Sequence, residues 1–251
     1  MSAGHVHAVY RHGRSPIHRA DSAVKIAVTL GFVVAVVVTP REAIWAFGVY
    51  AAMLVAGIAI TRVGPGFVIR RMVVLLPFLI AASTLPFLGG PPDTSFGLSI
   101  EGLWGAWNIV AKGTLGLTAS IVLAATTEGS DIVAGLERLR MPRVVTAIMG
   151  FMLRYVDVVI GEFSRTRVAM RSRGYRPRWL GSVGALGRSI GHLFVRSYER
   201  GERVFLAMAS RGYDGSLAVA EADAVPATQI TGAMLIVALA WAAAIAAVVA
   251  G

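Results

Sequence analysis

Five stretches of this chain stay apolar over nearly the whole length that a helix needs to cross a bilayer's hydrocarbon core, about 20 residues. They run from Ser22 to Thr39, Ala43 to Ile60, about Phe67 to Leu88, roughly Leu103 to Thr126, and Ile230 to Val249. Pro40 stops the first, and Pro77 and Pro86 lie inside the third. The first run has the length of a secretory leader. No small-residue cleavage pattern follows it and further spans do, so it reads as a transmembrane helix. No run of alternating β-branched residues argues for strands. The expected fold class is an all-α integral membrane protein with about five transmembrane helices and an Arg-rich cytoplasmic helical region.

Composition agrees. Of 251 residues 56% are hydrophobic and only 15% charged, against about 25% charged in soluble domains. Cysteine is absent, which excludes disulfides, thiolate metal sites and a Cys nucleophile. The formal charge is +10; 22 of the 24 basic residues are Arg, and the only lysines are Lys25 and Lys112. Such an excess suggests nucleic acid in a soluble protein, but cytoplasmic loops in a membrane protein.

The distribution favours loops. The N-terminal arm is basic, the Arg41–Glu42 turn is neutral, and the loop with Arg62, Arg70 and Arg71 is basic. The Gly89 to Gly102 loop carries Asp93 and Glu101, and the segment from Thr127 to Asp214 holds 15 Arg against 8 acids. This alternation puts the N-terminus, the second basic loop and 128–227 in the cytoplasm and the C-terminus outside. Val144 to Ile160 is apolar but carries Arg154 and Asp157 near its middle. Each charge costs about 2.5–3.5 kcal/mol at a span's centre, against about 0.3–0.6 returned per strong apolar residue. With Ile148, Phe151, Met152, Tyr155, Val156 and Val159 at helical spacing, it reads as an amphipathic helix.

Three segments result: 1–127 with four membrane helices, 128–227 cytoplasmic and helical, and 228–251 with the last span. Pro142 suits a helix's first position. Arg176-Pro177, Gly181, Gly184 and Gly187 predict a break, and a second helix follows from about Ser189 to Ser210.

A short repeat marks these helices. Residues 169–175 read Ala-Met-Arg-Ser-Arg-Gly-Tyr and 207–213 read Ala-Met-Ala-Ser-Arg-Gly-Tyr. Glycine suits the left-handed position that ends a helix, and Arg complements the dipole there. Two matched arginines also suit a partner with two matched sites, since the guanidinium fork pairs carboxylates bidentately.

On these residues the sequence resembles the transmembrane T component of energy-coupling-factor (ECF) ABC importers, of the cobalt type called CbiQ. Ser172-Arg173-Gly174 and Ser210-Arg211-Gly212 are similar to the family's Ala-Arg-Gly motifs. Supporting stretches are Gly13 to Asp21, Trp107-Asn108-Ile109, Gly135 to Pro142 and Arg196 to Arg200, with a Gly4-to-His7 start similar to the cobalt subgroup. The resemblance implies a non-catalytic scaffold in a bacterial cell membrane. Coupling helices would meet two ATP-binding cassette ATPase subunits, or a homodimer, through Ser172, Arg173, Gly174, Ser210, Arg211 and Gly212. A separate membrane subunit would bind the substrate, cobalt by resemblance, with nickel or a vitamin as alternatives.

The residues agree that ATP must be handled elsewhere. A P-loop needs Gly-Lys-Ser/Thr, but Lys25 follows Val24 and Lys112 follows Ala111. No catalytic or metal-ligating set and no cofactor site is expected. His5, His7, His12 and His18 could ligate a transition metal, yet their arm faces the cytoplasm and reads as a solvated basic arm. Lys112 lies within a span, by default a functional position, with no evident acidic partner. Gly113, Gly116 and Ala119 permit close helix approach. A lipid- or phosphate-handling membrane enzyme is the alternative of another class, but it lacks an acid, base or metal cluster. The apolar faces of the basic helices argue against nucleic acid.

Overall fold

The computed structural model describes residues 13, 15–88, 99–175, 183–213 and 226–250. His5, His7 and His12, most of the 89–102 loop, Arg176-Pro177, Gly181 and the linker at 215–225 lie outside the described residues. The helices are α1 (Pro16–Arg19), α2 (Ser22–Val38), α3 (Ile44–Thr61), α4 (Pro65–Arg71), α5 (Leu76–Leu88), α6 (Ile100–Thr126), α7 (Gly129–Arg138), α8 (Arg143–Ser172), α9 (Val183–Ala209) and α10 (Ala227–Ala250). No strand occurs among the described residues. These residues fall into two compact units, one of 13–136 with 226–250 and one of 137–213.

The first unit is a bundle in which α2 packs against α6 and α10, and α5 against α6. Side chains start its helices. Asp21 caps α2 by accepting the Ala23 N–H at 2.8 Å, and Ser99 caps α6 by accepting from Gly102 N. Small residues let the helices approach: Ala240, Ala243, Ala244 and Ala247 of α10 are buried beside Ala35 and Val36 of α2. A Cβ on Gly102 would stand 2.2 Å from the Leu85 carbonyl oxygen, so α6 meets the α5 backbone directly there. Gly113 allows a similar approach, its Cβ position lying 3.2 Å from a Leu75 methyl, whereas that of Gly116 is open.

Polar groups inside the bundle are tied down. Thr39 Oγ1 donates to Ala35 O and lies 2.9 Å from the Tyr50 hydroxyl, which donates to Ala240 O. Tyr50 is fully buried and links the end of α2 to α3 and α10. The two lysines act reciprocally. Lys25 of α2 donates to Thr126 O at the end of α6 at 3.0 Å, and Lys112 of α6 donates to Val37 O at the end of α2 at 2.8 Å. The partner of Lys112 is thus a helix-terminal carbonyl, one of the acceptors a helix cannot satisfy itself.

The third apolar stretch is one continuous path with a defect. A 3-10 turn, Met72–Leu75, separates α4 from α5. Pro77 explains it, because proline has no N–H to donate and its ring crowds the carbonyl four residues back.

Five helical segments combine the length and hydropathy of a membrane span: α3, Pro65–Phe87, α6, α8 and α10. The count matches the sequence reading, but the membership differs. α2, with 17 residues, is slightly shorter, while α8 qualifies by length and composition despite Arg154 and Asp157. Composition averages a window, whereas insertion cost depends on where the charges fall. Two local expectations are corrected. Pro142 is the N-cap of α8, its ψ of 131° being extended, not the first helical residue. Gly184 and Gly187 lie in the first turns of α9, so the break ends before Val183.

Candidate functional site

In the second unit α8 and α9 touch over a short stretch. On α8 the order is Phe151, Glu162, Met170, and on α9 the matching order is Met208, Arg200, Ser189. Phe151 and Met208 line one groove, Glu162 and Arg200 form an ion pair, and Ser189 Oγ lies 3.2 Å from Met170 Sδ. The helices therefore run in opposite directions past one another. The groove has a volume of about 650 Å³ and is lined by apolar side chains, among them Ile148, Phe151, Met152, Val204, Phe205 and Met208. Five of the six residues of the expected α8 face, Ile148, Phe151, Met152, Tyr155 and Val159, line this groove together with α9.

The repeat ends both helices identically. In the first copy Tyr175 N donates to Met170 O at 3.0 Å and Gly174 N to Arg171 O at 3.0 Å. In the second, Tyr213 N donates to Met208 O at 3.0 Å and Gly212 N to Ala209 O at 3.1 Å. This pair of bonds is the Schellman motif, with glycine in the left-handed region; φ is 80° at Gly174 and 81° at Gly212. Ser172 Oγ donates to Ala169 O and Ser210 Oγ to Ala207 O, both at 3.0 Å.

All six residues singled out in the sequence are therefore ordered by one local device used twice. Within each motif the backbone, glycine and serine close the helix. The Arg side chain does no capping. Arg173 and Arg211 are exposed, and neither guanidinium has an ion-pair or hydrogen-bond partner among the described residues. The structure thus brings Ser172, Arg173 and Gly174 together at one helix end and Ser210, Arg211 and Gly212 together at another. It does not bring the two motifs to each other.

Sequence reasoning missed the Glu162–Arg200 pair. Arg200 donates to Glu162 Oε1, and the pair is part-buried. The two positions are 38 residues apart, the same offset that separates the two copies of the repeat. A search for identical residues passes over them because they are complementary, not alike. No three His, Asp or Glu side chains converge among the described residues. His18 lies in α1, with Nδ1 2.7 Å from Ser15 Oγ.

Among the described residues no strand occurs, five helical segments are long and apolar enough to cross a membrane, and two basic helices end in the same cap. The chain belongs to the cobalt transport protein family CbiQ, which matches residues 13–220. It is similar to a putative fused cobalt transport protein CbiMQ of Methanocorpusculum labreanum, with 24% identity over 83% of this chain and 37% of that one. It is also similar to the cobalt transport protein CbiQ of Rhodobacter capsulatus, 28% identical over 78% of this chain and 79% of that one. The ECF transporter transmembrane protein EcfT of Brevibacillus brevis is 26% identical over 83% of this chain and 84% of its own length. The chain spans less than half the length of the fused CbiMQ relative.

Proposed function

We propose that this chain is the T component of an ECF-type importer, linking ATP hydrolysis by separate ATPase subunits to metal uptake through a separate substrate-binding membrane subunit. Arg173 and Arg211 are the contacts to two equivalent ATPase sites, and the cargo is cobalt. The observation that carries this reading is the doubled cap. It holds two arginines in the same backbone setting, on helices related by one repeat, with both guanidiniums exposed. Arginine can dock there as a bidentate fork on acidic groups. The absence of a Gly-Lys-Ser/Thr element supports ATP binding by other chains, and the family description supports cobalt as cargo.

The test co-expresses the chain with its ATPase and substrate-binding subunits. Replacing Arg173 and Arg211 together by Ala removes ATPase co-purification and cobalt uptake while membrane insertion persists. A double variant with full complex yield and full uptake refutes the reading. Nickel or vitamin competition for the same uptake identifies the cargo.

In this reading α2, α3, the α4–α5 segment, α6 and α10 cross the membrane, and 128–227 is cytoplasmic. The N-terminus is inside and the C-terminus outside. Because the chain has no cysteine, single Cys residues at positions 2, 93, 182 and 251 report sidedness to an impermeant thiol reagent. Positions 93 and 251 label from outside, and 2 and 182 do not. Outside labelling at 182 would instead make α8 a span.

A further inference from the structure

Glu162 and Arg200 occupy the same place in the two repeat copies, since both the ion pair and the repeat span 38 residues. A residue that pairs with its own repeat counterpart must lie on the local twofold axis relating the two helices. On a true twofold axis like would meet like, and two carboxylates or two guanidiniums would repel. Here the counterparts have opposite charge, so the axis itself is held by an attractive contact. Arg173 and Arg211 each lie 11 residues beyond the axis, about 16 Å along a helix rising 1.5 Å per residue.

We propose that the Glu162–Arg200 pair is the pivot on which α8 and α9 turn, and that both are positioning residues for coupling. The inference rests on the reading of Arg173 and Arg211 as ATPase contacts. Turning the helices about the pair keeps the two side chains together, whereas sliding one helix by a turn, about 5.4 Å, would part them and bring Arg196 or Arg203 towards Glu162 instead. Its Oε2 is already buried without a hydrogen-bond partner among the described residues, so Arg200 is the group that holds it. Arg165 and Arg196 also face Glu162 and add attraction.

Rotation about the pair keeps that contact and meets open space beside it. The Gly201 Cβ position, next to Arg200, meets nothing within 4 Å, and the groove beside the crossing is open by about 650 Å³. A pivot at equal distance from two contacts converts one angular change into equal displacements at both. It thereby gives two equivalent ATPase subunits matched control of the helices.

The test uses the full chain in nanodiscs, spin-labelled after Arg171→Cys and Ala209→Cys, two exposed and repeat-equivalent positions. In the otherwise wild-type chain the inter-label distance distribution is narrow, and Glu162→Gln widens it. Arg200→Lys keeps a cation at the axis and widens it less. Glu199→Gln, which breaks an exposed ion pair with Arg203 on the same helix, leaves it unchanged. In the assembled transporter Glu162→Gln retains ATPase association and hydrolysis, while cobalt uptake per ATP falls.

Glu162→Gln with an unchanged distance distribution and unchanged uptake per ATP overturns the pivot. Equal broadening in Glu199→Gln overturns it too, since any surface charge would then suffice. The distance measurement needs no partner, so its failure is separate from the failure of ATPase docking, which the double Ala variant reads.

Discussion

The two units of the molecule are both helical, yet they are held in different ways. The bundle of 13–136 and 226–250 buries Phe32, Phe47, Tyr50, Leu115 and a file of alanines in one continuous core. Its only lysines are spent on closing each other's helices. In 137–213, by contrast, two helices of 30 and 27 residues bury almost nothing. Met152 is 65% exposed, Phe194 70% and Phe205 56%. One unit has a core of its own, and its uncovered apolar side chains, such as Phe87, Leu235 and Val249, lie on helical segments long and apolar enough to cross a membrane. The other has a defined skeleton, fixed at its crossing and its ends, whose apolar surface the chain itself does not cover. Apolar area of that kind marks a surface for interaction.

The comparison breaks most clearly at the arginines. Replacing Arg173 and Arg211 by Ala should cost about 2–5 kcal/mol of ATPase association per site, the effect of truncating one partner of a desolvated charge pair. Thermal unfolding of the chain should barely move, because neither side chain is part of its own cap. Co-purification and a melting curve on the same preparation read both. Lys at these positions should restore little association, lacking the bidentate fork.

A second change reverses the pattern. Gly102→Ala drives a Cβ against the Leu85 carbonyl. It should destabilise the bundle by roughly 1–3 kcal/mol, as overpacking does, while docking by the basic helices persists in protein that folds. Gly116→Ala in the same helix has open space and should be neutral or slightly stabilising. Equal melting shifts for the two would show that α5 and α6 are not in tight contact.

Smaller effects sharpen the picture. Gly174→Ala or Gly212→Ala places a Cβ in the left-handed region, which costs about 1–2 kcal/mol. Faster amide exchange should appear in the last turn of α8 or α9 alone. Lys112→Met removes the bond to Val37 O and should lower bundle stability by about 1 kcal/mol, seen in the melting curve.

Much of this was legible in the sequence, and the remainder was hidden for identifiable reasons. Apolar length gave the bundle helices, and helical spacing gave the face of α8 that lines the groove with α9. The doubled Ser-Arg-Gly read as two helix ends because glycine there answers a backbone need. The role of Lys112 was illegible, since its acceptor is a backbone carbonyl 75 residues away and every residue has one. Pro77 was visible, but the 3-10 turn it forces was not. Glu162 and Arg200 escaped because a twofold axis can be marked by complementary residues, which similarity does not detect. Four-residue α1 and ten-residue α7 are too short for apolar periodicity to announce.

The doubled Schellman cap has a kinetic consequence. A contact residue on a disordered loop must be ordered at each encounter, and that ordering entropy is charged against every association. Here each helix end is closed by its own backbone bonds before any partner arrives, so only the arginine side chain itself is left to order on contact. Release then leaves no unfolded segment to recover. On the proposed reading, a contact that is broken and remade with every turnover can in this way be short-lived without being slow to reform.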